Sequence, residues 1–353
     1  MLTVGTGGYT GRGLVVSARY LAERFVIFAM TVLISVTVVF VLPRLVPGDP
    51  LGDIFVKMSR SGGGSGGSSA ALLAEYQHKF GLDRSVGAQY VAYLGQLARG
   101  DLGYSITNFP TRVSDKLWAA LPWTLGLLGV TTLVSWILGS LLGALVGWSG
   151  ERSRVLRAVV PVALVLYTTP YYILAIILIY VFAFQWPVLP LSGAYAAGDQ
   201  SEFSLAFAGD VLRHGALPGL SIILVSLGWW FLSMRSLIIS EQGQDYILWA
   251  EAKGLPRRRI FWAYAFRNAL LPQVTGLALS LGSIVGGALI TESIFAYPGV
   301  GYLLFNSIKQ FDYPVIQGGI LLIVVCVAAI NFAIDMAYPL IDPRIRAGGS
   351  GRS

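Results

Sequence analysis

Apolar residues along this chain do not alternate with polar ones. They run in long uncharged blocks separated by polar intervals. A block of about 20 such residues crosses a hydrocarbon core of about 30 Å as a helix. The first block, Phe25 to Pro43, follows a glycine-rich segment that carries Arg12, Arg19 and Arg24. The later blocks are Leu117 to Gly150, Ala158 to Phe184, Leu217 to Met234, Ala269 to Thr291 and Val315 to Leu340. The pattern predicts an all-α integral membrane protein with six transmembrane helices. Pro161 and Pro170 are expected to kink the third span. A signal peptide is the competing reading of the first block. Its length, and the lack of a small-x-small cleavage site after it, favour a permanent span.

The polar intervals differ in character. After Leu45-Val46-Pro47-Gly48-Asp49-Pro50, residues 46–119 form a small loop domain after the first span. Within it, Ser61 to Ser69 reads SGGGSGGSS, a flexible insert at 61–69 that need not order. Gly62, Gly64 and Gly67 satisfy G-x-G-x-x-G, but no strand precedes them and the match is discarded. Short helices are expected over Ala70 to Phe80, capped by Gly81, and over Tyr90 to Arg99, before Gly100-Asp101-Leu102-Gly103. Residues 185–216 read as a second polar connection and 292–314 as a short loop. The interval from Asp245 to Pro272 is different. A small-residue knot, Ala250-Glu251-Ala252-Lys253-Gly254, is followed by Leu255, Pro256 and the triplet Arg257, Arg258, Arg259. A compact helix with a glycine stop suits a docking surface for a soluble partner. An ordinary basic loop that orients the protein fits the charge equally well.

Small residues also fall in register inside the blocks. Gly139, Gly143 and Gly147 recur every four residues and share one helix face, a packing seam. Gly276, Ser280, Ser283 and the pair Gly286-Gly287 form another.

Composition sharpens the picture. Of 353 residues, 55% are hydrophobic and 12% charged, with mean hydropathy +0.68. Soluble domains carry about 25% charged residues, so this surface belongs in a bilayer. The net charge of +7 then concerns topology, since no basic block with interleaved aromatics follows a phosphate backbone. Arg12, Arg19 and Arg24; Arg152, Arg154 and Arg157; Lys253, Arg257 to Arg259 and Arg267; and Arg344, Arg346 and Arg352 all fall on one side. Outside the long loop, the other side has Arg213 and Lys309. The positive-inside rule puts both termini and the Asp245 interval in the cytoplasm. The expected organisation is a cytoplasmic segment 1–24, a first span 25–45, an extracytoplasmic loop domain 46–119, a five-helix core 120–340 with a cytoplasmic loop at 240–268, and a cytoplasmic tail 341–353.

Several chemistries drop out. No lysine follows a glycine, so there is no P-loop. His78 and His214 lack H-E-x-x-H spacing, and Cys326 stands alone, so no metal site is expected. Gly64-Ser65-Gly66 lies in the flexible insert, away from any base. No catalytic residue or cofactor site is expected in the chain. Asp335, one helical turn after Asn331, is the notable intramembrane acid; its place near the cytoplasmic end favours pairing with a neighbour over a proton pathway. Glu292 and Asp312 are placed at opposite mouths of the last external loop, at the interface. Tyr167, Tyr171, Tyr172, Trp229 and Trp230 read mostly as interface-belt residues.

The segment Ala250-Glu251-Ala252-Lys253-Gly254-Leu255, followed by Arg267-Asn268-Ala269-Leu270-Leu271-Pro272, resembles the coupling loop of permease subunits in ATP-binding-cassette importers, in the dipeptide/oligopeptide/nickel branch. The turn at Leu45 to Pro50, Gly100 to Gly103, Pro298-Gly299-Val300-Gly301, Asp312 to Gly318 and Asp342-Pro343-Arg344-Ile345-Arg346 extend the resemblance in order along the chain. Two departures stand out: Leu248 and Trp249 occupy the place where the wider loop pattern opens with glutamate, and the insert 61–69 is longer than the pattern needs. The resemblance implies a short helix seated in a cleft of an ATPase subunit, with Ala250, Ala252 and Gly254 permitting close approach. Arg257 to Arg259 would sit at the membrane edge or meet ATPase acids. It implies as partners a second, homologous permease, two ATPase domains that hold ATP and magnesium, and an external solute-binding protein docked on Pro47 to Trp118. The setting would be a bacterial or archaeal plasma membrane. Cargo stays open between oligopeptides and oligosaccharides, with Leu271 to Gly276 and Ile294 to Gly299 resembling the oligosaccharide-type members somewhat more closely and nickel disfavoured. An ion-driven secondary transporter and a non-transporting scaffold are the other readings.

Overall fold

The computed structural model describes residues 18–45, 85–150, 154–196, 204–283 and 289–341. The insert 61–69, the helix expected over Ala70 to Phe80, and Gly286 lie outside them. Among the described residues every regular element is helical, apart from one isolated bridge between Tyr104 and Arg112.

Helix α1, Ala18–Leu45, keeps apolar side chains such as Phe25, Met30, Leu33 and Val38 exposed, while Val36, Val39 and Phe40 are buried. An unpaired apolar face of this length suits lipid. Helix α2, Val86–Ala98, starts where the Ser85 hydroxyl accepts the Ala88 N–H at 3.4 Å. Tyr90 and Tyr93, one turn apart, both lie on Phe40, with ring centroids 5.0 and 5.5 Å away. Tyr90 also shares a hydrogen bond of 2.7 Å with Thr37, which ties α2 to the end of α1.

The core is built on α3, Val113–Ser149, which has 37 residues. Then come α4, Arg154–Thr168, and α5, Tyr171–Ile179, which a π turn extends over Tyr180–Gln185. Helix α6, Leu205–Gln242, has 38 residues. Two short helices follow, α7, Asp245–Ala252, and α8, Arg257–Ile260. A second π turn, Phe261–Phe266, leads into α9, Arg267–Ser283. The chain closes with α10, Leu289–Ile294, α11, Val300–Gln310, and α12, Tyr313–Ile341.

α3 and α6 pack along the glycine positions. A Cβ at Gly139 would lie 2.6 Å from the Trp230 Cβ, and one at Gly147 would lie 3.0 Å from the Arg235 carbonyl; at Gly143 it would collide with the Phe231 carbonyl. The two backbones are therefore in contact, which only glycine allows. Gly228 plays the same part between α6 and α4, where a Cβ would lie 2.6 Å from the Ala163 carbonyl. At 1.5 Å per residue α3 and α6 are each about 55 Å long. A hydrocarbon core of about 30 Å leaves roughly 25 Å of each outside it.

Four helices among the described residues are long and apolar enough to span a membrane: the Tyr20–Val41 part of α1, then α3, α6 and the Tyr313–Ala333 part of α12. The third block keeps its expected break at Pro170, but the break is sharper than a kink. α4 and α5 pass the same test together but are bent by 100°. Pro170 has no N–H for the Leu166 carbonyl, which the Thr169 N–H takes at 3.3 Å instead. The Thr169 hydroxyl also folds back on the Val165 carbonyl at 2.7 Å, and the helix ends. Two polar intervals are corrected. Residues 205–216 belong to α6, whose start is capped by the Ser204 hydroxyl accepting the Phe207 N–H at 3.1 Å. The stretch 292–314 contains α11 rather than an open loop.

Candidate functional sites at the two ends of the bundle

One end of the bundle carries α7. Ile247 and Ala250 on its inner face join a buried cluster with Ala144 of α3, Met234 and Ile238 of α6, and Ile260, Phe261, Ala265 and Ala269. Trp148 closes that cluster, 5.6 Å from Phe261 between ring centroids. Two bonds end the helix: the Gly254 N–H reaches the Glu251 carbonyl at 2.9 Å, and the Leu255 N–H reaches the Ala250 carbonyl at 3.3 Å. Gly254 adopts φ +71°. This is a Schellman stop, and it requires the left-handed conformation that glycine tolerates. Leu255 then packs back on the same cluster.

The two faces of α7 are therefore distinct. Ala250 is buried within the chain's own core, so the close approach it permits is to neighbouring helices of this chain. The outward face presents Leu248 and Trp249, 56% and 68% exposed, with Glu251, Ala252, Lys253 and Gly254 beside them. Arg257, Arg258 and Arg259 are also exposed. The sequence reading passed over Leu248 and Trp249, treating them only as departures from a motif. Their signal was two large apolar residues beside a buried pair, Ile247 and Ala250, in a helix too short to bury both faces.

The other end holds two buried carboxylates. Glu292 and Asp312 are each 0% exposed, enclosed by neighbouring helices and the segment before α3. Glu292 of α10 accepts the Thr124 hydroxyl of α3 at 2.8 Å and the N–H groups of Gly301 and Tyr302 at 2.7 and 3.2 Å. Thr124 in turn accepts the Val300 N–H at 2.8 Å. The first turn of α11 is thus capped from two other helices, with the carboxylate at the positive end of its dipole. Gly299 and Gly301 are needed here, because a Cβ on either would crowd the Glu292 side chain.

Asp312 begins where α11 ends. Phe311 takes φ +58°, and the Asp312 N–H returns to the Ser307 carbonyl at 2.9 Å. The Asp312 carboxylate accepts the Ser105 hydroxyl, the Thr107 hydroxyl at 2.7 Å and the Ile106 N–H at 3.1 Å. Lys116 of α3 stands 3.8 Å from it and donates to Ser105 at 3.0 Å and Asn108 at 2.7 Å. Gly100 to Gly103 and Asp312 to Gly318, distant in sequence, therefore meet. Gly103 accepts the Val113 N–H at 3.0 Å, and a Cβ on Gly318 would lie 2.6 Å from a Val113 methyl.

Beside this corner Trp123 stacks on Tyr195 at 5.7 Å and meets Tyr297 edge-on at 5.8 Å. Burial pushes the Tyr297 phenol up to about 12, with the Glu292 charge adding to the shift, so it packs as a neutral ring. Of the aromatics read as an interface belt, Tyr167, Tyr172 and Trp229 are exposed, whereas Trp230 is 3% exposed in the core. Asp335 pairs with Arg24 of α1 at 3.1 Å, and the Tyr20 hydroxyl donates to its carbonyl at 2.9 Å. Among the described residues no group of His, Cys, Asp and Glu could hold a metal ion.

Comparison with known proteins places this geometry. Residues 139–347 match the family described as binding-protein-dependent transport system inner membrane component. The chain is 33% identical over 341 residues to the di/tripeptide transport system permease protein DppB of Pseudomonas aeruginosa (strain UCBPP-PA14), covering 93% of this chain and 98% of that one. It is 30% identical over 340 residues to the dipeptide transport system permease protein DppB of Alkalihalophilus pseudofirmus, covering 92% and 98%. It is 31% identical over 325 residues to the dipeptide transport system permease protein DppB of Escherichia coli (strain K12), covering 87% and 92%.

Proposed function

The chain belongs to the family of binding-protein-dependent inner-membrane transport components, as an ATP-binding-cassette importer permease of the dipeptide/oligopeptide branch, and we propose that it forms one half of a peptide translocation pathway. It is a multi-pass membrane protein and a transport subunit rather than an enzyme. In this reading the pathway is completed by a homologous permease. Two ATPase domains dock from the cytoplasm, and an extracytoplasmic binding protein delivers the peptide. The bent α4–α5 pair and the segment through α9 and α10 each count as one span, giving six spans with both termini cytoplasmic. The loop domain after α1 and the corner at Glu292 and Asp312 are then extracytoplasmic.

The observation that carries the reading is the two-faced α7. Its inner face is fixed in the cluster with α3 and α6, so a push on the helix moves both long helices together. Its outer face offers a large aromatic and an aliphatic residue that are both exposed, the kind of anchor that dominates interface energies. In the docked state Trp249 and Leu248 fill the ATPase cleft and the Gly254 stop lets the partner approach. Lys253 and Arg257 to Arg259 face acidic groups at its rim. Peptide is preferred to oligosaccharide as cargo because the relatives' names concern peptides.

The test is ATP hydrolysis by the assembled complex in lipid nanodiscs. Peptide-loaded binding protein is expected to stimulate it. Stimulation by oligosaccharide-loaded protein alone would reassign the cargo, and uptake that follows an ion gradient and ignores ATP depletion would refute the importer mechanism. Gly254→Trp is expected to insert in the membrane, since the space around Gly254 is open and the left-handed φ of +71° costs a side chain only about 1–2 kcal/mol, yet to lose peptide-stimulated hydrolysis.

A further inference from the structure

Helix α11 is held at both ends by a buried carboxylate, and both attachments lead to the same helix. At its first turn Glu292 and Thr124 take the N–H groups of Val300, Gly301 and Tyr302. At its last turn Asp312 reaches Ser105, Ile106 and Thr107, with Lys116 alongside. Thr124 and Lys116 both belong to α3 and lie eight positions apart, about 12 Å along the helix axis. The 11 residues of α11 cover about 16 Å. α11 is therefore a strap laid over this end of α3. Its inner face, Val300, Gly301, Leu304 and Ser307, is buried, and its apolar members pack on Ala120 and Leu121.

The two pins differ. The Glu292 pin is the more enclosed: Thr124 is 0% exposed, Val300 and Gly301 are buried, only Tyr302 is part-buried, and the glycines at 299 and 301 leave no room around the carboxylate. The Asp312 pin is reached from the surface. The Lys116 side chain is 18% exposed, Thr107 is part-buried, and Asn108 is exposed. Water can replace hydroxyl and ammonium partners there, whereas at Glu292 it cannot enter without opening the helices. The partners of Asp312 also sit on the segment between α2 and α3, part of the loop domain after α1.

From this asymmetry we propose that α11 is a hinged strap, fixed at Glu292 and released at Asp312, and that Asp312 is the positioning residue that passes a pull on the 105–108 segment to the transmembrane core. The proposal rests on the importer reading for the origin of the pull, a binding protein engaging the extracytoplasmic loop. Release frees the last turn of α11 from the 105–108 segment while the first turn stays capped and Val315 and Gly318 of α12 stay packed on Val113 and Leu117 of α3. The strap thus swings rather than detaches.

The assembled transporter carrying Asp312→Asn in nanodiscs tests this. The maximal stimulation by loaded binding protein is expected to fall about tenfold, the loss of one charge-assisted hydrogen bond. The half-saturating concentration should stay within about twofold, because Asp312 transmits rather than docks. A second arm uses Ser307→Cys, at an inner-face position 5% exposed, together with Cys326→Ala. A membrane-impermeant maleimide is expected to label position 307 when Asp312→Asn is present and to spare it otherwise. Thr107→Val leaves the buried carboxylate in place and should move both readouts the same way by a smaller factor, so a failure of Asp312→Asn to assemble does not end the test. Unchanged stimulation, a raised half-saturating concentration at full maximal rate, or an unreactive thiol at position 307 in both variants each overturns the proposal. If no binding protein stimulates the unsubstituted complex, the importer reading has failed instead, and the labelling arm alone decides on the strap.

Discussion

The two ends of α3 are built from opposite materials. At the α7 end, Ala144 joins Met234, Ile238, Ile247, Ala250 and Ile260 in an apolar cluster, and Gly143 and Gly147 bring α6 into backbone contact. At the α11 end, Thr124 and Lys116 meet the buried carboxylates Glu292 and Asp312. Apolar packing is non-directional and close-packed, so it moves as a block. Charge-assisted hydrogen bonds are directional, and those at Asp312, with partly exposed partners, can break by exchange with water. Under the proposed importer mechanism, a push carried from one side of the membrane to an opening on the other would draw on both kinds.

The largest effect is expected from Glu292→Ala, which leaves the Thr124 hydroxyl and two N–H groups buried without an acceptor. A loss of about 3–5 kcal/mol is expected, since each buried donor left without an acceptor costs about 1–3 kcal/mol, read from thermal unfolding in detergent. Gly143→Leu attacks the other end by driving a side chain into the Phe231 carbonyl. About 3 kcal/mol of destabilisation is expected, with the α3–α6 separation checked by a cysteine cross-link. Trp249→Ala should leave unfolding unchanged and weaken ATPase association by about 2 kcal/mol, measured by titration in nanodiscs. An equal loss of stability would move Trp249 from a docking face to a packing role. The smallest effect is expected for Arg24→Gln. The pair with Asp335 is about a third exposed on each side, and such pairs contribute under about 1 kcal/mol. A double-mutant cycle with Asp335→Asn should give a coupling of that size.

Much of the architecture was legible from hydrophobic blocks alone, because a bilayer demands long helices with satisfied backbones. α1, α3 and α12 extend the predicted blocks by a few residues at most ends. Where the reading failed, a local interaction outweighed the pattern. Ser204 started α6 twelve residues early, and Pro170 with Thr169 turned a kink into a 100° bend. Ala250 and Gly254 were both expected to permit close approach, and Gly254 to stop the helix as well; the fold keeps the stop and turns Ala250 inward. Gly254 stops the helix at φ +71°, a demand the sequence announces. Ala250 faces inward because Met234 and Ile238 wait there, which no spacing within α7 reveals.

The sequence by itself determined that the chain is an all-helical membrane protein, which intervals are polar, and where α7 must stop. These follow from periodicity, charge deficit and the backbone demands of glycine and proline, all properties of neighbours along the chain. Only the tertiary structure decided that Leu248 and Trp249 face outward, and that Thr124 and Glu292, 168 positions apart, share one hydrogen bond. Asp312 and Ser105, separated by 207, share another. A carboxylate carries the same sequence signal whether it meets water or a helix N-terminus. Its burial is set by which helices arrive around it, and that is a property of the packed bundle.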